Sequence, residues 1–192
     1  MPDHNIKITS YSEIDIHEVI RRIKSGEQLA FKSLFFAWQH RIYRYIWLRV
    51  RNIEIAEDIV QDVFFRIWQK RETLQENGNF TAFIFQIAHN LVVDWARKNG
   101  AKLRMQGTLT SNEKQSTHAN EQAELHDLES IISNAIETLP PAMQQAFVLH
   151  RFENLNYKQI AEIMGISNKT VEKHMSAALK KLRGVLRDSG FP

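Results

Sequence analysis

A polar stretch near the middle of the chain limits what the rest of the sequence can fold into. Residues 99–123 are rich in Ser, Thr, Asn and Gln and hold only three large apolar residues, so they cannot build a core of their own. On both sides the apolar residues recur at helical spacing, and the four prolines, at positions 2, 140, 141 and 192, interrupt no long helix. The sequence therefore predicts an all-α chain of two small helical domains joined by a flexible linker.

These patterns divide the chain into five segments and place three helices in the first domain. The helices are expected at Glu27–Val50, Glu54–Lys70 and Phe80–Lys98. The segments are an N-terminal stretch 1–19, a first domain 20–98, a flexible polar linker 99–124, a second domain 125–188 and a tail 189–192.

Composition excludes several classes of protein. No apolar run approaches the roughly 18 residues of a membrane-spanning helix, and the N-terminus lacks the charged and apolar regions of an export signal. The chain has no cysteine, and its eight histidines show no metal-ligand spacing. A phosphate-binding P-loop sequence is missing as well. We therefore expect a cytoplasmic protein that is not an enzyme and needs no metal, cofactor or small-molecule substrate.

Residues 156–183 carry the local signals of a helix-turn-helix. Asn156 can cap the first helix, with Gln159 as its capping-box partner. Gly165 stands at the turn, where a left-handed backbone costs least without a Cβ, and Ser167 can cap the second helix. The second helix then has four apolar positions at helical spacing, Val171, Met175, Ala178 and Leu182. We interpret this unit as a DNA-binding element.

The other face of the second helix is basic. Residues 169–187 contain six Lys or Arg and one Glu, a balance that suits a phosphate backbone. Lys and Arg also favour ordinary helix C-termini, so charge alone does not separate the two interpretations. In a helix-turn-helix the N-terminal end of this helix enters the major groove, and the polar residues there are Asn168, Lys169, Glu172, Lys173 and Ser176.

The predicted helix at 57–70 has two different faces. One is an ordinary core stripe of Ile59, Val60, Val63 and Ile67. The other is acidic but also presents a phenyl ring, with Trp68 near its edge, and it consists of Asp58, Asp62, Phe65 and Gln69. An acidic face with exposed aromatic rings raises the question of which partner binds it.

The third helix carries a polar stripe, and a tight turn precedes it. The stripe is Gln86, Asn90, Asp94 and Arg97, with Lys98 beside it. In the turn, the Asn79 amide and the Phe80 ring could hold a base extruded from a DNA stack, one by its edge and the other by its face. Residue type alone favours a simpler role for Phe80, as a hydrophobic cap on its own helix.

Three stretches resemble the sigma-70 family of bacterial RNA polymerase sigma factors. IEIAEDIVQDVFFRIWQK is similar to region 2.2, FTAFIFQIAHNLVVDWARK to regions 2.3 and 2.4, and residues 137–183 to regions 4.1 and 4.2. They occur in the family's order, and the likeness covers about 160 of the 192 residues. A short linker replaces region 3 and nothing resembles region 1.1, an organisation similar to the extracytoplasmic-function (ECF) class of alternative sigma factors.

The resemblance implies promoter-specific transcription initiation through three binding surfaces. The surface for the β′ clamp helices of core RNA polymerase would be Asp58, Gln61, Asp62, Phe65 and Trp68. The surface that recognises and melts the −10 element would be Asn79, Phe80, Gln86, Asn90, Asp94, Arg97 and Lys98. The −35 reader would be Ser167, Asn168, Lys169, Thr170, Glu172, Lys173, His174 and Lys180. The family also implies that region 4 meets the β flap, and that an anti-sigma factor, often membrane-bound, holds the protein inactive.

Two other functions compete with this interpretation. The second domain alone also resembles the DNA-binding domain of LuxR-type regulators, which would bind an operator without polymerase and would leave the first domain unexplained. An all-α enzyme could use Glu57, Asp58 and Asp62 to hold Mg²⁺ against a diphosphate substrate. The short chain and the lack of a second acidic motif argue against that enzyme.

Overall fold

The computed structural model describes residues 15–106 and 135–188, and these residues form helices and turns without any β-strand. The first domain contains α1 (Ile16–Lys24), α2 (Gln28–Val50), α3 (Ile53–Gln69), a 3-10 turn (Arg71–Thr73) and α4 (Phe80–Gln106). The second contains α5 (Pro141–Arg151), α6 (Tyr157–Met164) and α7 (Asn168–Asp188). The prediction of an all-α fold with two helical domains is confirmed. Within the described ranges no helix is long and apolar enough to cross a membrane.

The core of the first domain lies between α2, α3 and α4. The apolar stripe predicted for α3 is buried there. From α2, the side chains of Leu34, Ile42 and Ile46 are at most 1% exposed, and each such aliphatic side chain contributes roughly 1.5–3 kcal/mol when it leaves water. These burials fix which face of each helix remains free for partners.

The folded part of the first domain extends beyond its predicted limits at both ends. The Asp15 carboxylate caps α1, and Val19 is buried in the common core, so the core takes in part of the predicted N-terminal stretch. The helix expected to end at Lys98 continues to Gln106. Most residues from 101 to 106 are good helix formers, and one glycine at 100 costs only about 1 kcal/mol. The rest of the predicted linker and residues 125–134 lie outside the described residues.

The helix-turn-helix forms as the sequence predicts. Asn156 and Gln159 make a complete capping box at the start of α6, and the Ser167 hydroxyl accepts the Thr170 N–H at 3.1 Å at the start of α7. Gly165 ends α6 with a φ of 64°. The four predicted apolar positions of α7 are buried at 8% exposure or less: Val171, Met175, Ala178 and Leu182.

Gly165→Ala tests the turn that sets the angle between α6 and α7. No atom lies within 4 Å of where a Cβ would be built, so the substitution creates no clash, and only the left-handed backbone is penalised. We expect the free energy of unfolding of the second domain to fall by about 1–2 kcal/mol, measured by urea denaturation. Gly184→Ala, in open space within α7, is the control and should not destabilise the domain. Equal stability of the Gly165→Ala variant and the wild type would contradict the strained turn.

Candidate protein and nucleic-acid interfaces

The exposed face of α3 is the one that the sequence predicts. Asp58, Gln61 and Asp62 are exposed, and Phe65 has 58% of its surface in water. The opposite side of the helix is fully committed to the core. Phe65 is therefore a large aromatic side chain exposed to water among carboxylates. Such a side chain can become buried in the interface with a partner.

Trp68 differs from the other members of this surface because it is half-buried. Its ring lies 5.0 Å from the ring of Phe31, and the Arg71 guanidinium sits 4.9 Å from its centre. Trp68 therefore lies at the edge of the exposed face of α3. Part of its ring packs among the aromatic side chains between α2 and α3, and the rest is exposed.

In the turn before α4, the predicted DNA contacts Asn79 and Phe80 both make contacts within the first domain. The Phe80 ring is only 5% exposed and meets the Trp38 ring edge-on at 5.2 Å, so its face is not free to stack on a base. The Asn79 side chain caps α4 by accepting the Ala82 N–H at 2.9 Å. Both residues thus hold the turn in place, and the simpler role that residue type favours for Phe80 is the one the structure shows.

A cavity of about 240 Å³ opens beside this turn. Phe83, which is not among the residues predicted from the sequence, is 36% exposed and lines the cavity. The sequence signal that could have identified Phe83 is a phenyl group on the solvent side of α4, three residues after the buried Phe80. The walls are formed by Thr73, Leu74, Gln75, Gly78, Asn79, Phe80 and Phe83.

The polar stripe of α4 continues from this cavity, but its first residue is covered. The Gln86 amide donates to the Asn90 side chain at 3.3 Å and to the Ile163 carbonyl of α6 at 3.2 Å. Asp94 and Arg97 form an exposed ion pair at 3.1 Å, and Lys98 is exposed. The structure therefore assembles the predicted stripe, with the second domain resting on its Gln86 end.

A hydrogen bond between the side chains of Tyr45 and His89 connects α2 to α4. The Tyr45 hydroxyl lies 2.9 Å from Nδ1 of His89, and Tyr45 is completely buried. Burial, followed by the positive charge of Arg49, lowers the pKa of His89, and burial raises the pKa of Tyr45. His89 is therefore neutral in the folded state at neutral pH and holds α4 against α2.

Acidification should reduce the contribution of His89 to the stability of the first domain. Because the pKa of His89 is lower in the folded chain than its ordinary value of 6.5, the unfolded chain takes up the proton first as the pH falls. The His89 contribution to stability is therefore present above that value and is lost below it. We expect the melting temperature to fall between about pH 8 and about pH 5, and to fall less in His89→Gln. The same pH dependence in both proteins would contradict this role.

The predicted −35 surface lies on one exposed side of α7. Lys169, Glu172, Lys173 and Lys180 are exposed and line a shallow groove together with Ser176 and Ala177. Asn168 and Ser167 are exposed at the N-terminal end, whereas Thr170 and His174 are half-buried. The Ser167 and Thr170 hydroxyls lie 2.8 Å apart and serve the cap, so the freely available polar groups are those of the lysines, Asn168 and Glu172.

Comparison with protein families decides between the interpretations. Residues 34–102 match the model described as Sigma-70 region 2, and residues 129–182 match Sigma-70, region 4. The chain belongs to the sigma-70 family. Because both domains match, the LuxR-type alternative is not supported. Members of this family are non-catalytic subunits that bind core RNA polymerase and promoter DNA.

Curated relatives and solved structures agree with this assignment. The ECF RNA polymerase sigma factor SigW of Bacillus subtilis (strain 168) is 26% identical over 185 residues, covering 92% of this chain and 99% of SigW. RpoE of Bartonella quintana, solved with the anti-sigma factor NepR, has a TM-score of 0.67 at 22% identity, over 82% of this chain and 96% of that one. CnrH, solved with the cytosolic domain of CnrY, has a TM-score of 0.61 at 20% identity, over 91% and 98% of the two chains. The chain is an alternative sigma factor of the ECF class.

The magnesium alternative finds no support in the part of the chain that the structure describes. Glu57, Asp58 and Asp62 are exposed on α3. No group of three or more His, Asp or Glu side chains within residues 15–106 and 135–188 is arranged to hold a metal ion.

Proposed function

We propose that this sigma factor uses α3 to bind the β′ clamp helices, the turn and stripe of α4 to bind the −10 element, and α7 to bind the −35 element. The observation that carries the proposal is the exposed Phe65 ring among carboxylates on α3, because a LuxR-type regulator would have no use for such a face. The chain then acts wherever core polymerase acts, in the cytoplasm, and performs no reaction of its own.

The contact with polymerase combines steering and anchoring. Asp58 and Asp62 would attract basic clamp residues over a distance, which raises the association rate. Phe65 would supply most of the binding energy by leaving water, as aromatic anchors commonly do. Gln61 lies on the same exposed face and can hydrogen-bond at the rim.

Recognition of the −10 element would use the cavity beside the turn. A base that leaves the stack needs a pocket that packs its face and hydrogen-bonds its edge. Phe83 supplies an exposed ring at the cavity, and Asn90, Arg97 and Lys98 extend a polar track from it along α4. Melting would then draw its energy from tighter binding to the open strand than to the duplex.

Recognition of the −35 element would use the N-terminal half of α7. Asn168 and Lys169 are placed where base edges are read in a helix-turn-helix. We assign phosphate anchoring in this chain to Lys169, Lys173 and Lys180, all of which are exposed. Region 4 would also meet the β flap.

An anti-sigma factor is the expected regulator. RpoE and CnrH, which share this fold, were each solved with a protein partner, NepR and the cytosolic domain of CnrY. By analogy, we propose that a protein of the anti-sigma class, either soluble or tethered to a membrane, binds this chain and withholds it from polymerase.

Run-off transcription with purified core RNA polymerase on genomic fragments tests the proposed function. Specific transcripts that depend on the added chain are the expected result. The competing outcome is tight binding of the free chain to duplex DNA without any association with polymerase, and it would overturn the proposal.

A further inference from the structure

Three arginines, two on α2 and one directly after its last residue, face the second domain. Arg41 and Arg44 lie about 60° apart around the helix axis, at roughly 100° per residue, and Arg51 is the left-handed residue that ends the helix. Arg41 forms an ion pair with Glu153, and its Nε donates to that carboxylate at 2.9 Å. The other two contacts are Arg44 stacked 4.0 Å over the Phe152 ring and Arg51 paired with Glu137 at 3.5 Å. We call these three residues the arginine row.

Glu153 is bound by the arginine row in an almost dry environment. Its side chain is 4% exposed, whereas that of Arg41 is 40% exposed. A carboxylate removed from water in this way needs a cationic partner, and removing that partner leaves an uncompensated charge. The second domain therefore presents an anion to the row, held by the same kind of charge-assisted bond that guanidinium groups form with phosphate.

Arg41, at one end of the arginine row, is connected to the candidate base cavity through two aromatic rings. The Arg41 guanidinium stacks 3.9 Å from the Trp38 ring, and Trp38 contacts Phe80, which lines the cavity. The second domain also covers the start of the α4 stripe, where Gln86 donates to the Ile163 carbonyl. Because one domain covers both features, the row and the stripe lie on the same side of the first domain.

We propose that the arginine row binds the phosphates of the single-stranded DNA that enters the cavity, and that Glu153 and Glu137 occupy it as competing anions in the closed arrangement seen here. This inference rests on the proposed −10 function. Proteins bind single strands by combining a site that stacks on a base with cationic groups along the backbone. Here the cavity would hold the base, and the guanidinium groups would bind the phosphates. Separation of the domains exposes the row and the Gln86 end of the stripe together.

The test measures fluorescence anisotropy of a labelled single-stranded oligothymidylate with the full chain at several salt concentrations. Glu137→Gln/Glu153→Gln removes the competing anions. It should bind more tightly than wild type by about tenfold at low salt and steepen the logarithmic salt dependence by about 2, since each single-strand phosphate contact contributes about 0.7. The control, Glu18→Gln/Glu72→Gln, removes two exposed carboxylates of the first domain that pair with other arginines. Equal affinity in the two double variants would overturn the inference.

A second set of variants tests whether the tighter binding of Glu137→Gln/Glu153→Gln depends on the arginine row. Adding Arg41→Gln, Arg44→Gln and Arg51→Gln to the glutamate variant should remove both the tighter binding and the steeper salt dependence. The control with the same charge change replaces Arg21, Arg22 and Arg71, which are paired elsewhere. If both triple replacements weaken binding equally, the effect is one of net charge and the inference fails.

Folding of each variant is checked by circular dichroism. If the triple variant unfolds, Arg44→Gln alone, at an exposed position, is added to the glutamate variant in its place. It should lower the salt dependence by about 0.7, and an unchanged salt dependence would overturn the inference. Run-off transcription keeps this failure apart from that of the proposed function. If the wild type transcribes but the arginine variants bind single strands as tightly as Glu137→Gln/Glu153→Gln does, the role of the arginine row alone is contradicted, whereas a wild type without transcripts contradicts the proposed function.

Discussion

Asp62→Arg/Phe65→Ala is expected to abolish transcription while the chain remains folded. Both side chains point into water from α3, and Phe65 is 58% exposed, so the core loses nothing. Truncating an aromatic anchor at an interface commonly costs about 2 kcal/mol or more. Setting a positive charge against basic clamp residues adds a repulsion of about 1 kcal/mol or more. Together these predict binding to core polymerase weakened by at least about 100-fold, measured by competition for core polymerase and by run-off transcription.

The same helix offers a matched control for this variant. Ile53→Ala/Glu54→Arg also removes an exposed apolar side chain and reverses an exposed acidic charge, but in the first turn of α3, before the proposed binding face. It should transcribe close to the wild-type level, with a small loss of stability from a cation at a helix N-terminus. A loss as large as that of Asp62→Arg/Phe65→Ala would mean that any change on α3 disturbs transcription, and the assigned face would be wrong.

The features predicted correctly from the sequence are those encoded over short distances. Helices α2, α3 and α4 follow from apolar residues three or four positions apart, whereas α1 was not predicted. The turn of the second domain follows from Asn156, Gly165 and Ser167, each of which acts on backbone groups within a few residues. Local chemistry of this kind is visible without knowing the rest of the fold.

The arrangement of the two domains could not be predicted in this way. Arg41 and Glu153 are 112 residues apart in the chain, and their pairing depends on the packing of α4 against α6 and of α2 against α5. Neither residue carries a local signal for the other. For the same reason the sequence placed Gln86 on an open surface, whereas its amide bonds to the Ile163 carbonyl of the second domain.

Phe80 differs from these long-range cases, since a local signal for its packing was present. Phe80 stands four residues before Ile84 and eight before Ala88, and both of those are completely buried. The helical period therefore places Phe80 on the core side of α4, in agreement with the hydrophobic cap that its residue type favours. The family resemblance assigned the whole turn to the DNA surface, without separating the residue that builds the turn from the residue beside the cavity.

Phe80→Ala and Phe83→Ala should separate these two roles. Phe80 is 5% exposed and packs on Trp38, so its truncation should lower the free energy of unfolding of the first domain by about 3–5 kcal/mol. That is a large part of the 5–15 kcal/mol typical of a domain. Phe83 is 36% exposed at the cavity, and its truncation should cost about 1 kcal/mol of stability but shorten the lifetime of the open promoter complex.

Chemical denaturation and open-complex dissociation measured on both variants distinguish the outcomes. If Phe83 stacks on an extruded base, its loss removes about 1–3 kcal/mol of strand binding, and the open complex should dissociate at least about fivefold faster. A Phe83→Ala protein with normal open complexes would move base capture away from this cavity. A Phe80→Ala protein as stable as wild type would mean that the contact with Trp38 does not hold the turn, and the ring would again be available to DNA.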